Sequence, residues 1–425
     1  MIRLVAAVLL VVSLLAAACS SEAVSNRGEP GSSTDPITPA PTADIADISQ
    51  QLNVVIAPTP LPDGPRPLIV ASLLGETGVL APLDGPALAG VIAEIKRLND
   101  AGGVLGRPVE LRRFDTNSRV SVTDRLVRRF VDSPPDLIIT SCDTDVSQPA
   151  LEFADEFGLL TISPCATDPR YLNGGLGSMN YTLGAPSTSQ GAVAAAAAFE
   201  RYGPTSIVLR DVTSPEAISF CDGFERTFRE LGGSVVYRDE FSYDTLDPVQ
   251  DRLAERGGES SFITLCSHVP GGIDAAPSII LILRTLGFEA PLVGGSTLDQ
   301  PGWFANVPTL GELLFVSWSS TFGNDPDDRV NDLVRSIQQG GSLPPGVSTI
   351  LGAEAVEAWA RAAETAGSAS PDSVARALAS FNNERFTTGP ISFVAGARMD
   401  LGRTYRLLRV VDGELSVVGL METED

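Results

Sequence analysis

The stretch Gly158-Leu-Leu-Thr-Ile-Ser-Pro-Cys-Ala-Thr-Asp-Pro-Arg170 decides the fold. Residues 159–162 make an apolar run short enough for a buried strand, with turn chemistry on both sides. The run breaks at Ser163-Pro164 into small hydroxyl, thiol and acidic side chains. In open parallel sheets, ligands sit just beyond the carboxyl ends of the strands. A strand that ends in Ser-Pro-Cys-Ala-Thr therefore supplies the floor of a binding site, and four further strands end in the same manner.

Upstream of this stretch, strands are expected at 68–73, 109–114 and 137–140. A helix with Leu88, Val91, Ile92, Ile95 and Leu98 on one face follows the first strand and stops at Gly102-Gly103. Ser121 with Asp124 has the form of a capping box, and Pro149 is expected to open the next helix. Strand and helix alternating at this rhythm give a parallel, doubly wound sheet. Downstream the pattern restarts after Tyr181. An Ala-rich helix over 192–202 precedes a strand at 206–210, and Ser214-Pro215-Glu216 caps a helix closed by Gly232-Gly233. Further strands are expected at 234–237, 262–266, 292–294 and 313–317. The tail, 391–394 and 405–418, reads as strands, the second folded into a hairpin at Asp412-Gly413.

The chain has 425 residues, which suits two lobes rather than one. Its 53 acidic residues against 30 basic ones give a formal net charge of −23, which opposes nucleic acid or an anionic membrane surface as a partner. At the N-terminus, Arg3 precedes an apolar run over 4–15 and then Ala16-Ala17-Ala18-Cys19. That run is too short to span a bilayer and reads as a secretory signal over 1–18. The residues before Cys19 resemble a bacterial lipoprotein box, which implies cleavage there and lipidation of the Cys19 thiol; the alternative is an ordinary signal with a chance cysteine. Residues 19–67 are rich in Pro, Ser, Thr and Gly and read as a disordered tether. Four cysteines remain, in no zinc pattern. Cys142 and Cys165 end strands expected to be neighbours, Cys221 lies on a helix and Cys266 ends a strand. Disulfides Cys142–Cys165 and Cys221–Cys266, one per lobe, are expected in an exported protein, with buried free thiols as the alternative.

Several blocks resemble a known family. Asn99-Asp-Ala-Gly-Gly-Val-Leu-Gly-Arg-Pro108 with Phe114-Asp-Thr-Asn117, and then Ile162-Ser-Pro-Cys-Ala-Thr-Asp-Pro169, are similar to type I periplasmic binding proteins. Within that group they resemble the branched-chain amino acid/amide-binding class of transporter receptors. The helix from Phe224 to Gly233, Ala290-Pro-Leu-Val-Gly-Gly295 and Thr388-Gly-Pro-Ile-Ser-Phe393 extend the likeness over 68–419. The resemblance implies an α/β fold: two Rossmann-like lobes with parallel-sheet cores, joined by a three-strand hinge. The lobes are expected at 68–183 with 318–388 and at 184–317 with 389–420, with crossovers near 181–187, 315–320 and 386–391. It also implies a small-molecule ligand trapped by hinge closure, an ABC permease as membrane partner, no cofactor or metal, and a monomer anchored by lipid to the outer face of the cytoplasmic membrane.

The resemblance places contacts of the first lobe at Thr144, Ala166 and Thr167, with Thr77, Glu76 and Asp143 on neighbouring loops. In the second lobe Asp211, Ser214, Ser267, His268 and Ser296 end strands on the cleft side. Each has a plain structural alternative as a helix cap or loop tie. The sequence departs from amino-acid-binding members at three places. Gly294-Gly-Ser-Thr297 stands where an acidic partner for the ammonium is usual, Ser214-Pro215 where an aromatic cover is usual, and Leu83 where a tyrosine is common. The expected ligand is thus a small polar metabolite (amino acid, amide or related acid), with Asp143, Asp145 or Asp211 as substitute partners for a cation.

Two other classes bear on the reading. A sensory or scaffold lipoprotein could keep the fold and have no transport role. An enzyme is opposed by the residues: Cys266-Ser267-His268 places neighbouring side chains on opposite faces of one strand, with no second base. No G-x-G-x-x-G follows the first strand, against a dinucleotide enzyme.

Overall fold

The computed structural model describes residues 55–56, 65–242, 246–256, 259–267, 275–299, 303–304, 307, 309–340, 346–393 and 396–422. The secretory signal, Cys19 and His268 lie outside the described residues. All described residues belong to one compact unit, 49–425.

The first sheet holds β1 (Val55–Ile56), β2 (Leu68–Leu74), β3 (Val109–Asp115), β4 (Leu137–Thr140), β5 (Thr161–Ser163) and β6 (Asn180–Thr182), in the order β1-β3-β2-β4-β5-β6. All neighbours are parallel except β1 and β3. β2, β4 and β5 are buried along their whole length, as continuous apolar strands covered on both faces must be. One face carries α1 (Ala81–Asp100), α9 (Val347–Ala366) and α10 (Pro371–Leu378); the other carries α2 (Val120–Val127) and α3 (Thr144–Phe157).

The second sheet holds β7 (Thr205–Asp211), β8 (Ser234–Phe241), β9 (Phe262–Cys266), β10 (Leu292–Gly294), β11 (Glu312–Ser317), β14 (Thr404–Val411) and β15 (Glu414–Glu422). Its order is β15-β14-β11-β10-β9-β7-β8, with parallel neighbours except for the antiparallel pairs β11–β14 and β14–β15. α4 (Ser187–Tyr202) and α5 (Pro215–Glu230) cover one face, α6 (Asp247–Arg256) and α7 (Ala275–Thr285) the other. α8 (Asp328–Gln339) packs beside α1 and α9. A short hairpin, β12 (Glu384–Phe386) and β13 (Gly389–Ile391), stands apart.

Two pairs of glycines let helices cross at backbone contact. A Cβ on Gly90 of α1 would overlap the Thr349 carbonyl oxygen, and one on Gly352 of α9 would overlap that of Ala87. In the second lobe Gly191 of α4 and Gly223 of α5 stand in the same relation to the carbonyls of Phe220 and Thr188.

The two α/β sheets are those expected, and both disulfides form, with Cα separations of 4.8 Å for Cys142–Cys165 and 5.7 Å for Cys221–Cys266. Asp412 and Gly413 turn β14 into β15 with φ of 51° and 81°, as a two-residue hairpin requires. Four local expectations change. Within the segment expected as a tether, Val55 and Ile56 pair with Arg112 and Leu111 on the open edge of β3, where unpaired N–H and C=O groups accept a further strand. Pro149 lies inside α3, because Asp143, six residues earlier, caps the helix by accepting from the Val146 N–H at 2.8 Å. α2 starts at Val120 with no side-chain cap on Arg119. Ser118 nearby instead joins the loop after β2, donating to the Thr77 carbonyl and accepting from the Leu80 N–H. Residues 391 and 393, assigned by sequence to the second lobe, pack in the core of the first.

Among the described residues three stretches lie between the two lobes: 183–186, 318–327, and 392–393 with 396–403. A buried ionic network ties all three. Arg403, 1% exposed, pairs with Glu354 at 2.8 Å and Asp400 at 2.9 Å and donates to the Leu183 carbonyl at 3.0 Å. It also donates to the Thr388 hydroxyl. Arg406 pairs with Asp325 at 3.1 Å and donates to the Thr388 carbonyl at 2.6 Å.

Candidate functional site

The carboxyl ends of β4, β5, β9 and β10 converge on one cavity of about 80 Å³. From the first lobe come Leu83, the Cys142–Cys165 disulfide, Asp143 and Thr167. The second lobe supplies Ser187, Gln190, Glu216, Phe220 and Ser267, with Gly295 to Thr297 beyond β10. Trp318 and Val347 close the hinge side.

Each wall is held from behind. Asp84 of α1 is wholly buried and accepts from the N–H of Gly75 at 2.7 Å and of Cys142 at 3.2 Å. Burial pushes its carboxyl up to about 6 against those hydrogen bonds. It locks the loop after β4 to the helix that carries Leu83. Ser163 donates to the Ser141 carbonyl at 3.0 Å and accepts from the Ala166 N–H at 3.1 Å, so the Ser-Pro-Cys-Ala-Thr loop is folded back on its own strand. The Thr182 hydroxyl donates to the Ala166 carbonyl at 2.7 Å. In the second lobe the Ser296 hydroxyl donates to Gln190 Oε1 at 2.8 Å, and the Thr297 hydroxyl to the Ser267 carbonyl at 2.7 Å. The Ser187 hydroxyl donates to the Thr167 hydroxyl at 2.9 Å, joining the two walls.

Of the residues singled out by sequence, Asp143, Thr167, Ser267 and Ser296 line this cavity together. The others stand behind or beside it. Ala166 is fully buried under the loop it belongs to. Thr144 is buried in the first turn of α3. Asp211 accepts from the N–H and hydroxyl of Thr213 at 2.8 and 2.6 Å, closing its own turn. Ser214 caps α5, accepting from the Ala217 N–H at 3.2 Å, and donates to Glu216 at 3.0 Å. Thr77 donates to Asp115 at 2.6 Å, Glu76 pairs with Arg113, and Asp145 lies 3.6 Å from Arg170.

Sequence reasoning passed over Gln190, Glu216, Phe220, Trp318 and Val347 as contacts. Glu216 is the notable one. It is the acidic residue of the first turn of α5. Burial, and secondarily Asp168 and Asp145 of the facing lobe, hold its carboxyl above the ordinary range. Among the described residues no group of three or more His, Cys, Asp or Glu could hold a metal ion. No described helix is long and apolar enough to cross a membrane.

Comparison with known proteins agrees with this architecture. The profile of the family described as "Periplasmic binding protein" matches residues 67–414. A Leu/Ile/Val-binding protein homolog 1 of Brucella abortus is 26% identical over 335 residues, covering 74% of this chain and 85% of that one. In three dimensions the chain is similar to a leucine-binding protein from Thermotoga maritima, with a TM-score of 0.71 at 21% identity, over 84% of this chain and 99% of the other. It is also similar to an ABC transporter solute-binding protein from R. palustris in complex with benzoate, with a TM-score of 0.69 at 18% identity over 84% and 96%.

Proposed function

This chain belongs to the periplasmic binding protein family, and from that premise we propose that it is an extracytoplasmic solute receptor of an ABC importer, held to the outer face of the cytoplasmic membrane by lipid on Cys19. It captures one small metabolite between its lobes by hinge closure and presents the closed form to a membrane permease. It performs no chemistry on the ligand.

One observation carries this reading: a single small cavity receives the strand ends of both sheets, with Thr167 on one wall and Ser296 on the other. A ligand that touches both walls binds the closed arrangement better than the open one, and only such a difference can drive closure. The relatives leave the ligand open between an amino acid such as leucine, bound by one, and an acid such as benzoate, bound by another.

The test is a thermal-shift screen of amino acids, amides, amines and short acids, followed by uptake in cells with the chain deleted. A ligand at a hundred times its dissociation constant adds about 2.7 kcal/mol of stability. Uptake of that ligand should be lost on deletion. Uptake that survives deletion, with binding intact, would instead fit a sensory or scaffold lipoprotein.

A further inference from the structure

The two disulfides stand differently toward the cavity. Cys142 and Cys165 line it, and are 7% and 8% exposed. Cys221 and Cys266 do not line it, and are 0% and 1% exposed. Cys142 lies between β4 and α3, and Cys165 just beyond β5. Asp143 follows the first directly and Thr167 comes shortly after the second, and both line the cavity. The Cys142–Cys165 bond therefore sets the spacing of two first-lobe loops that face the solute. Both cysteines also belong to an apolar cluster that reaches Phe220 of the second lobe and Trp318 and Val347 on the hinge side.

We propose that the Cys142–Cys165 disulfide is a working part of the ligand site and makes capture depend on its redox state: the oxidised form holds the solute and the reduced form lets it go. This rests on the receptor reading and adds a regulated element to its site. Two thiols stand apart at van der Waals distance and bonded sulfurs do not, so the thiols need more room. Behind them the apolar cluster is packed, so the space open to them is the cavity they line. Reduction takes room from the solute and removes the fixed spacing of the Asp143 and Thr167 loops. The loops themselves stay folded by other ties. Asp84 accepts from the Cys142 N–H at 3.2 Å, and the Ser163 hydroxyl joins the Ser141 carbonyl to the Ala166 N–H. The first lobe thus keeps its fold while the site loses its shape.

The reductant is a small dithiol that enters the cavity. Its thiolate attacks Sγ of one cysteine, the S–S bond breaks, and the other cysteine leaves as a thiolate. The second thiol of the reductant then attacks the mixed disulfide and closes its own ring. The two electrons and two protons it gives up leave Cys142 and Cys165 as thiols. A solute seated against the sulfurs blocks the first attack. Linkage makes the effect reciprocal. If reduction weakens the solute tenfold, saturating solute must lower the potential of the pair by about 30 mV.

The test treats the mature chain with dithiothreitol, traps free thiols by rapid alkylation and identifies them by peptide mass spectrometry. Without solute, Cys142–Cys165 should open at least tenfold faster than Cys221–Cys266, with the circular dichroism unchanged. Calorimetry with leucine, benzoate and the tightest compound of the thermal-shift screen should then show affinity at least tenfold weaker for the chain reduced at that pair. Cys142→Ala combined with Cys165→Ala should weaken binding as well, and the reduced chain decides even where this variant does not fold. Bound compound should slow the opening of Cys142–Cys165 at least tenfold. Opening of both disulfides together, affinity unchanged by reduction, or opening that bound compound does not slow overturns the inference and leaves the receptor reading standing. Failure of every compound in the screen to bind the oxidised chain overturns both.

Discussion

The hydroxyl of Ser187, at the start of α4, donates to the hydroxyl of Thr167, on the loop after β5, at 2.9 Å. One residue belongs to the wall built by the first sheet and the other to the wall built by the second, and both line the same cavity. The bond is buried, with Thr167 9% and Ser187 5% exposed. Thr167→Val keeps the shape and removes the partner. It should cost about 1 kcal/mol of stability, and Ser187→Ala a similar amount. In urea unfolding of the singles and the double, the pair should be non-additive. Strict additivity would mean that the two walls are not coupled through this contact.

The hinge rests on Arg403. Arg403→Met removes the guanidinium that pairs with Glu354 and Asp400, both fully buried. Breaking one partner of a buried pair typically costs about 3–5 kcal/mol. Since the same guanidinium holds the Leu183 carbonyl, the variant should also unfold less cooperatively, with the lobes melting apart in calorimetry. A single transition at the wild-type temperature would show that the network does not join the lobes.

The crossing of α4 and α5 admits no side chain at Gly191. Gly191→Ala drives a methyl into the Phe220 carbonyl oxygen and to 2.7 Å from the Phe224 nitrogen. Overpacking of this kind costs about 1–3 kcal/mol. Because Phe220 lines the cavity, ligand affinity should fall along with the melting temperature. A variant as stable as the parent would mean that the helices can separate freely.

Asp299 is fully buried beyond the short turn at Ser296–Leu298, and accepts from the Ser317 hydroxyl at 2.5 Å. Burial, opposed by that hydrogen bond and aided by Asp325, raises its carboxyl to about 7. Arg406, paired with Asp325, is the cation on the same side. The sign follows directly: the native state holds a proton that the unfolded chain releases near 3.8. This contribution to stability is complete below that value and is lost as pH rises through about 7. Asp299→Asn should therefore gain stability relative to wild type at pH 8 and little at pH 4, by denaturant titration. A difference independent of pH would contradict this.

Much of the fold was legible because period and punctuation agreed. Mostly apolar runs such as 137–140 and 159–162, helices closed by Gly102-Gly103 and Gly232-Gly233, and the Asp412-Gly413 turn each carry a local signal. The Cys142–Cys165 pair had a signal in strand order, whereas Cys221 lies on a helix and its pairing with Cys266 rested on the even cysteine count. The site was legible only where a lining residue lies within a few positions after a strand end, as Asp143, Thr167, Ser267 and Ser296 do. Residues one step off that line, Thr144 and Ala166, face the structure behind the cavity, and Asp211 and Ser214 satisfy their own turns. Glu216 was hidden because an acid in the first turn of a helix complements the helix dipole whether or not it meets a ligand. Gln190, Trp318 and Val347 sit on helices or a crossover, and only the relation between the two sheets turns them inward. The hinge network was hidden for the same reason, since Glu354, Thr388 and Arg403 are far apart along the chain.

The central claim is that one solute bridges the two walls. The most direct measurement is a crystal structure of the mature chain with the tightest-binding compound of the thermal-shift screen. The compound should lie between Thr167 and Ser296. Density for it in another place, such as the groove beside Arg385 and Thr404, with this cavity holding only water, would contradict the account.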